Sequence, residues 1–109
     1  MSKIFSVEFT KASNPQKKYT ATFFDKENKK IKTTHFGFRS KTDPNNDFTK
    51  HGDPQRKERY LDRHRAREDW SSPMTAGALS RWILWHKKSL TSSMRDYGKR
   101  FKIKIINKT

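Results

Sequence analysis

Four arginines, Arg56, Arg59, Arg63 and Arg67, recur at spacings of three, four and four residues just after Asp53-Pro54. On a helix turning about 100° per residue they share one arc roughly 80° wide and span about 16 Å. That length is comparable with a few phosphate spacings along a duplex. A guanidinium presents a planar fork of donors that matches a phosphate oxygen pair, so a row of them is suited to a polyanion. A purely structural explanation competes with this. Glu58, Asp62, Arg65 and Asp69 could form a lattice of ion pairs on the same helix, each pair worth a few tenths of a kcal/mol. That lattice leaves out the four arginines, whose neighbours are mostly one another. Like charges at such spacing cost stability until something neutralises them, and polyanion contact is the preferred reading.

Other basic and aromatic residues extend the candidate surface. Arg81, Trp85 and Lys88 stand at i, i+4 and i+7, so Trp85 could stack on a base or serve only a cation–π contact. Trp82 is expected in the core. Lys99, Arg100, Lys102 and Lys104 form a basic patch, or else a solubilising edge on an exposed strand. Phe36-Gly37-Phe38-Arg39 reads as ordinary sheet packing with a bend at the glycine. Few amide or acidic side chains accompany the arginines, so contact with phosphate rather than base readout is expected.

Catalysis finds little support. His35, His51, His64 and His86 are scattered, and no two are placed at i, i+4. Asp47, His51 and Asp53 could in principle hold a divalent ion as in a metal-dependent nuclease, but Asp53 is better placed as a helix cap. There is no phosphate-binding glycine loop, dinucleotide fingerprint or nucleophile elbow. No enzyme activity, cofactor or metal is expected.

The charge of the whole chain agrees with the stripe. Twenty-six Lys and Arg face 11 Asp and Glu, a formal net charge of +15 in 109 residues. Residues 54–109 carry 15 of those cations and eight of the nine arginines. Such self-repulsion opposes compaction until a polyanion relieves it. Only 30% of residues are hydrophobic, with 13% aromatic, so the core must be thin and ring-rich. Without cysteine there is neither a disulfide framework nor a thiolate zinc site. No apolar run approaches the roughly 20 residues of a membrane span, and no signal-peptide pattern opens the sequence. A soluble protein, intracellular or packaged in a particle, is the expectation.

These residues must be positioned by one small α+β domain. Residues 1–38 read as mainly β: a strand at 4–9 with Phe5, Val7 and Phe9 alternating, then a hairpin over 19–38 turning at 25–30. Residues 39–52 read as loop, marked by Asp43-Pro44-Asn45-Asn46-Asp47. Residues 53–101 read as mainly helical. Asp53 and Pro54 start a helix running to about Asp69, with Tyr60, Leu61 and His64 turned to the sheet. A second helix runs from about Thr75 to Lys87, its inner face Ala78, Leu79, Trp82, Ile83, Trp85 and His86. Ser89 caps a third, lined by Leu90, Met94, Tyr97 and Phe101 and weakened near its end by Gly98. Alternation over 101–106 adds a possible last strand. The expected architecture is a small antiparallel sheet with two or three short helices on one face.

The blocks Asn46–His51, Asp53–Trp70 and Pro73–Trp85 resemble a family of small basic proteins, largely of uncharacterised function, from nucleocytoplasmic large DNA viruses of algae and protists. The resemblance covers most of the chain from His35 to Phe101 and is weak in residues 1–18. It implies a viral origin and a place in the virion, with the host nucleus or a cytoplasmic virus factory as the location during infection. It brings no catalytic motif. Two functions follow as expectations: a structural protein that binds duplex DNA with little sequence preference and neutralises or condenses the genome, or a minor capsid protein whose Trp and Arg residues grip acidic capsid partners.

Overall fold

The computed structural model describes residues 4–38 and 48–109, apart from the Lys50 side chain. Three strands come first: β1 (Ser6–Lys11), β2 (Lys17–Phe24) and β3 (Lys30–Phe38). Four helical segments follow: α1 (Phe48–His51), α2 (Pro54–His64), α3 (Ala76–Leu79) and α4 (Leu90–Phe101). Strand β4 (Lys104–Asn107) ends the order. The fold is α+β, with a four-stranded sheet in the order β3-β2-β1-β4.

Alternation builds the sheet. Val7 lies opposite Phe23 and Phe9 opposite Ala21, so the large apolar residues of β1 and β2 share one face. Thr34 and Phe36 of β3 join that buried face. At the hairpin turn, Asp25 Oδ1 accepts bonds from the backbone N–H groups of Glu27 and Lys29, both at 2.9 Å, which closes the turn with a side chain. Two expectations change here. The sheet is mixed rather than antiparallel, because β4 pairs parallel to β1 (Ser6 with Lys104, Val7 with Ile105). Phe5, expected on the inner face, is 48% exposed because the regular strand begins one residue later.

Helix α4 follows its pattern closely. The Ser89 side chain accepts from the Ser92 N–H, and Met94 and Tyr97 are buried. The Tyr97 ring meets Phe9 edge-on at 6.0 Å while its hydroxyl donates to the Pro73 carbonyl at 2.7 Å. Burial with that single polar outlet raises the phenol pKa above its ordinary value. The helix stops at Lys102, left-handed at φ 56°, and Ile103 N–H donates to Gly98 O at 2.9 Å. Gly98 does more than weaken the helix end: a Cβ there would lie 2.8 Å from Ile103 O and from Ile105 Cγ1. Its bareness lets the return into β4 pass tightly beneath α4.

The second predicted helix is shorter and changes pitch. Thr75 caps it through the Ala78 N–H at 3.1 Å, and after Leu79 the chain makes a π turn over Ser80–Leu84, closed by Trp85 N–H to Ser80 O at 3.1 Å. The extra residue in that turn re-aims the side chains beyond it. Leu84, absent from the predicted face, is buried with Ala78, Leu79 and Ile83, while Trp82, Trp85 and His86 are only half-buried. Of the predicted loop, residues 39–47 lie outside the described residues and Phe48–His51 forms one helical turn. No helix among the described residues is long and apolar enough to cross a membrane.

Candidate nucleic-acid interface

Asp53 and Pro54 start α2 as their chemistry dictates: the Asp53 carboxylate accepts from the Gln55 N–H at 2.9 Å, and proline occupies the first turn. The helix ends at His64, not near Asp69. Residues 65–68 are good helix formers, so partners beyond the helix must end it. Glu68 is pulled inward, accepting from Trp70 Nε1 at 2.8 Å and lying 3.0 Å from His64 Nδ1. Asp69 folds back onto the Ser71 N–H and hydroxyl. Trp70 is held by Trp82, whose Nε1 donates to the Trp70 carbonyl at 2.8 Å. The predicted acidic lattice shrinks accordingly to one exposed contact, Asp62 with Arg65 at 3.9 Å.

The inner face of α2 meets a partner other than the one expected. Tyr60 is buried and stacks on Trp85, with ring centres 4.3 Å apart and planes 3° from parallel, instead of packing flat on the sheet. His64 lies against Tyr60 at 4.4 Å, and His51 leans on Trp85 at 5.3 Å. Burial raises the Tyr60 phenol pKa, and the nearby Glu68 carboxylate adds to it. Between α2 and the sheet edge lies an open groove of about 810 Å³. Arg56, Arg59 and Arg63 line it from α2, Lys17 and Lys18 from β2, and Gly37 and Phe38 from β3. Tyr60, Leu84 and Trp85 also border it.

Among the described lining residues are two carboxylates, Asp62 and Glu68, which pair with Arg65 and with His64 and Trp70 rather than with the groove's arginines. Neither Arg59 nor Arg63 has a carboxylate within ion-pair distance among the described residues. Over the eight residues from Arg56 to Arg63 the row spans about 10 Å, shorter than the full stripe. Arg67 sits exposed in the turn after α2 and is not in the groove. Lys17 and Lys18 were not foreseen. Their place in a hairpin some 40 residues before α2 gave no local signal, and only the folded sheet brings them opposite the arginines.

The remaining candidates go elsewhere. Arg81 is half-buried, its guanidinium 4.3 Å from the Trp82 ring and 5.4 Å from Trp70, and it donates to the Trp85 carbonyl at 3.2 Å. Burial holds its pKa below the usual guanidinium value, opposed by Tyr60 and helped by Arg100 and Arg65. Arg100 lies over Trp82 at 3.7 Å, so Trp82 is a clasp between two cations rather than a closed core residue. The Lys88 stem passes over Gly52, and Lys99 is exposed on α4. Lys102 borders a separate small cavity with Ile4, Phe5 and Lys26, and Lys104 belongs to β4, at the edge of the sheet opposite β3. Trp85 borders the groove but spends ring surface on Tyr60.

The loop considered for a metal divides: Asp47 lies outside the described residues, while His51 Nδ1 accepts from the Asp53 N–H at 2.9 Å. Among the described residues no three His, Asp or Glu side chains are grouped to hold a metal ion.

Beside the arginine clasp, His86 Nε2 lies 3.0 Å from Asp96, which also takes Lys87 Nζ at 2.9 Å. Burial depresses the His86 pKa, aided by Arg81 and Lys57; the Asp96 bond opposes this without prevailing. Lys87 and then His86 hold the Asp96 carboxyl below its ordinary value. The unfolded chain protonates His86 near its ordinary 6.5, whereas the folded chain resists until lower pH. Stability should therefore fall as pH drops from about 7 toward the depressed value. The Asp96 contribution persists below that, until pH falls through its own lowered pKa. Thermal melts should show the upper part of this slope flattened by His86→Asn; an unchanged slope would mean His86 does not titrate differently on folding.

No curated protein and no solved structure matches the chain significantly. A family model does match, over residues 7–64, the stretch from β1 to the end of α2 that carries Lys17, Lys18, Gly37, Phe38 and the three groove arginines. The chain belongs to that family, a family of unknown function (DUF5754).

Proposed function

We propose that this protein binds DNA through phosphate contacts with little sequence preference, as a structural component that neutralises or condenses a viral genome. The observation that carries the reading is the convergence of Arg56, Arg59, Arg63, Lys17 and Lys18 on one groove, where Arg59 and Arg63 have no carboxylate within ion-pair distance among the described residues. A net charge of +15 supplies the long-range attraction. The viral setting, with a place in the particle, rests on the sequence blocks 46–51, 53–70 and 73–85.

Binding to random-sequence duplex across a salt titration tests it. The logarithm of affinity should fall with the logarithm of salt at about 0.9 per phosphate neutralised, a slope of roughly 3–5 for a groove of this charge. A weak and salt-insensitive response would reject genome binding and leave the cations to acidic capsid proteins.

A further inference from the structure

Helix α4 buries one side through Ser93, Met94 and Tyr97. At about 100° per residue, Arg95 and Lys99 stand one turn apart on the opposite side, and both are exposed. Among the described residues neither has a carboxylate within ion-pair distance. Like charges at that spacing cost a helix stability. This part of the chain has nothing left to relieve them. Residues 70–109 hold nine Lys and Arg against one acidic side chain, Asp96, which His86 and Lys87 already hold.

This basic face does not continue the groove. Tyr97 packs on Phe9 of β1 and Gly98 lies against Ile105 of β4, so α4 covers one half of the sheet order β3-β2-β1-β4. The groove is bounded by Lys17 and Lys18 of β2 and Gly37 of β3, in the other half. The π-turn segment stands between the two helices: Trp85 stacks on Tyr60 of α2, while Trp82 lies under Arg100 of α4. The core therefore holds two cationic faces apart on a body 41 Å in its greatest extent. One duplex could touch both only by bending around that body, and duplex DNA resists bending over a persistence length of about 150 base pairs. Two separate segments can each lie straight.

We propose that the Arg95–Lys99 face of α4 binds the phosphates of a second duplex segment, so that one molecule cross-links two segments. This rests on the reading of the groove as the first phosphate-binding surface. Charge complementarity names the occupant, since a face with two cations and no acid to neutralise them suits the same polyanion as the groove. Neutralising a genome needs one such face; drawing its segments together needs two.

The test fixes one random-sequence duplex to beads and measures how much of a second, fluorescent duplex the protein captures from solution. Wild type should capture it. Arg95→Gln combined with Lys99→Gln should cut capture about tenfold or more, because two charge-assisted contacts are lost. Affinity for a single duplex should change by no more than about threefold, since the groove is intact and only overall charge is reduced. Glutamine is a good helix former and both positions are exposed, so the melting curve should not move. Undiminished capture by the double variant overturns the assignment to α4, including the case in which two copies bridge through their grooves. A wild type that binds the fixed duplex without capturing the second overturns cross-linking and leaves the phosphate-binding groove standing. If that same bead-bound wild type captures fluorescent polyglutamate instead, the α4 face belongs to an acidic protein and the duplex is overturned as its occupant. Failure to bind the fixed duplex at all overturns both readings.

Discussion

Replacing Arg59 and Arg63 together with glutamate should weaken duplex binding by about 100-fold or more at moderate salt. Each lost charge-assisted contact accounts for about 1.5–3 kcal/mol, a factor of ten or more. The slope of log affinity against log salt should fall by roughly two, since two phosphates are no longer neutralised. The loss should be alike on all sequences, because contacts to phosphate carry no base information. Both side chains are exposed on α2, so melting should change by no more than about 0.5 kcal/mol. The same pair of reversals at Lys102 and Lys104, on the far side of the sheet from the groove, provides the contrast. Equal losses from both pairs would mean that overall charge, rather than the groove, governs binding. A loss confined to one duplex sequence would contradict phosphate recognition.

The largest stability effect is expected at Gly98. Alanine there gains about 1 kcal/mol of helix propensity, but its Cβ would press on a backbone carbonyl, Ile103 O, which has no free rotation to escape. Overpacking costs about 1–3 kcal/mol, so Gly98→Ala should be mildly destabilising. Gly98→Val adds two methyl groups toward Ile105 and should cost about 3 kcal/mol, lowering the melting temperature by roughly 10–20 °C. Urea or thermal unfolding reads this directly. An unaltered midpoint would show that β4 can retreat from α4 at no cost, and the tight passage at Ile103–Ile105 would then be incidental.

What could be read before folding was what lies within a few residues of its cause. The Asp53 cap followed by Pro54, the Ser89 cap, the alternation through Val7 and Phe9 and the Asp25 turn all report local chemistry, and each forms. The end of α2 is not legible locally because Glu68 answers to Trp70, whose carbonyl is held by Trp82, twelve residues further on. Leu84 was missed because a π turn shifts the phase of a pattern counted at 3.6 residues. The parallel pairing of β4 depends on where α4 delivers the chain. At the candidate site the three α2 arginines were legible from spacing alone. Lys17 and Lys18 were not. Nor was the exposure of Phe38, since the positive φ of Gly37 is invisible in the sequence.

The pairing of Ser6–Phe9 with Lys104–Asn107 also orders events in time. The hairpin of β2 and β3, and β1 laid beside it, need only short loops to close and can assemble early, on entropy grounds that favour nearby partners. The outer edge of β1 must wait for a segment almost a hundred residues later. During synthesis that edge stays open, a strip of unpaired backbone beside Val7 and Phe9, until α4 has wound and turned at Lys102. A nascent chain of this protein is therefore most exposed to mispairing with its neighbours just before its final strand arrives.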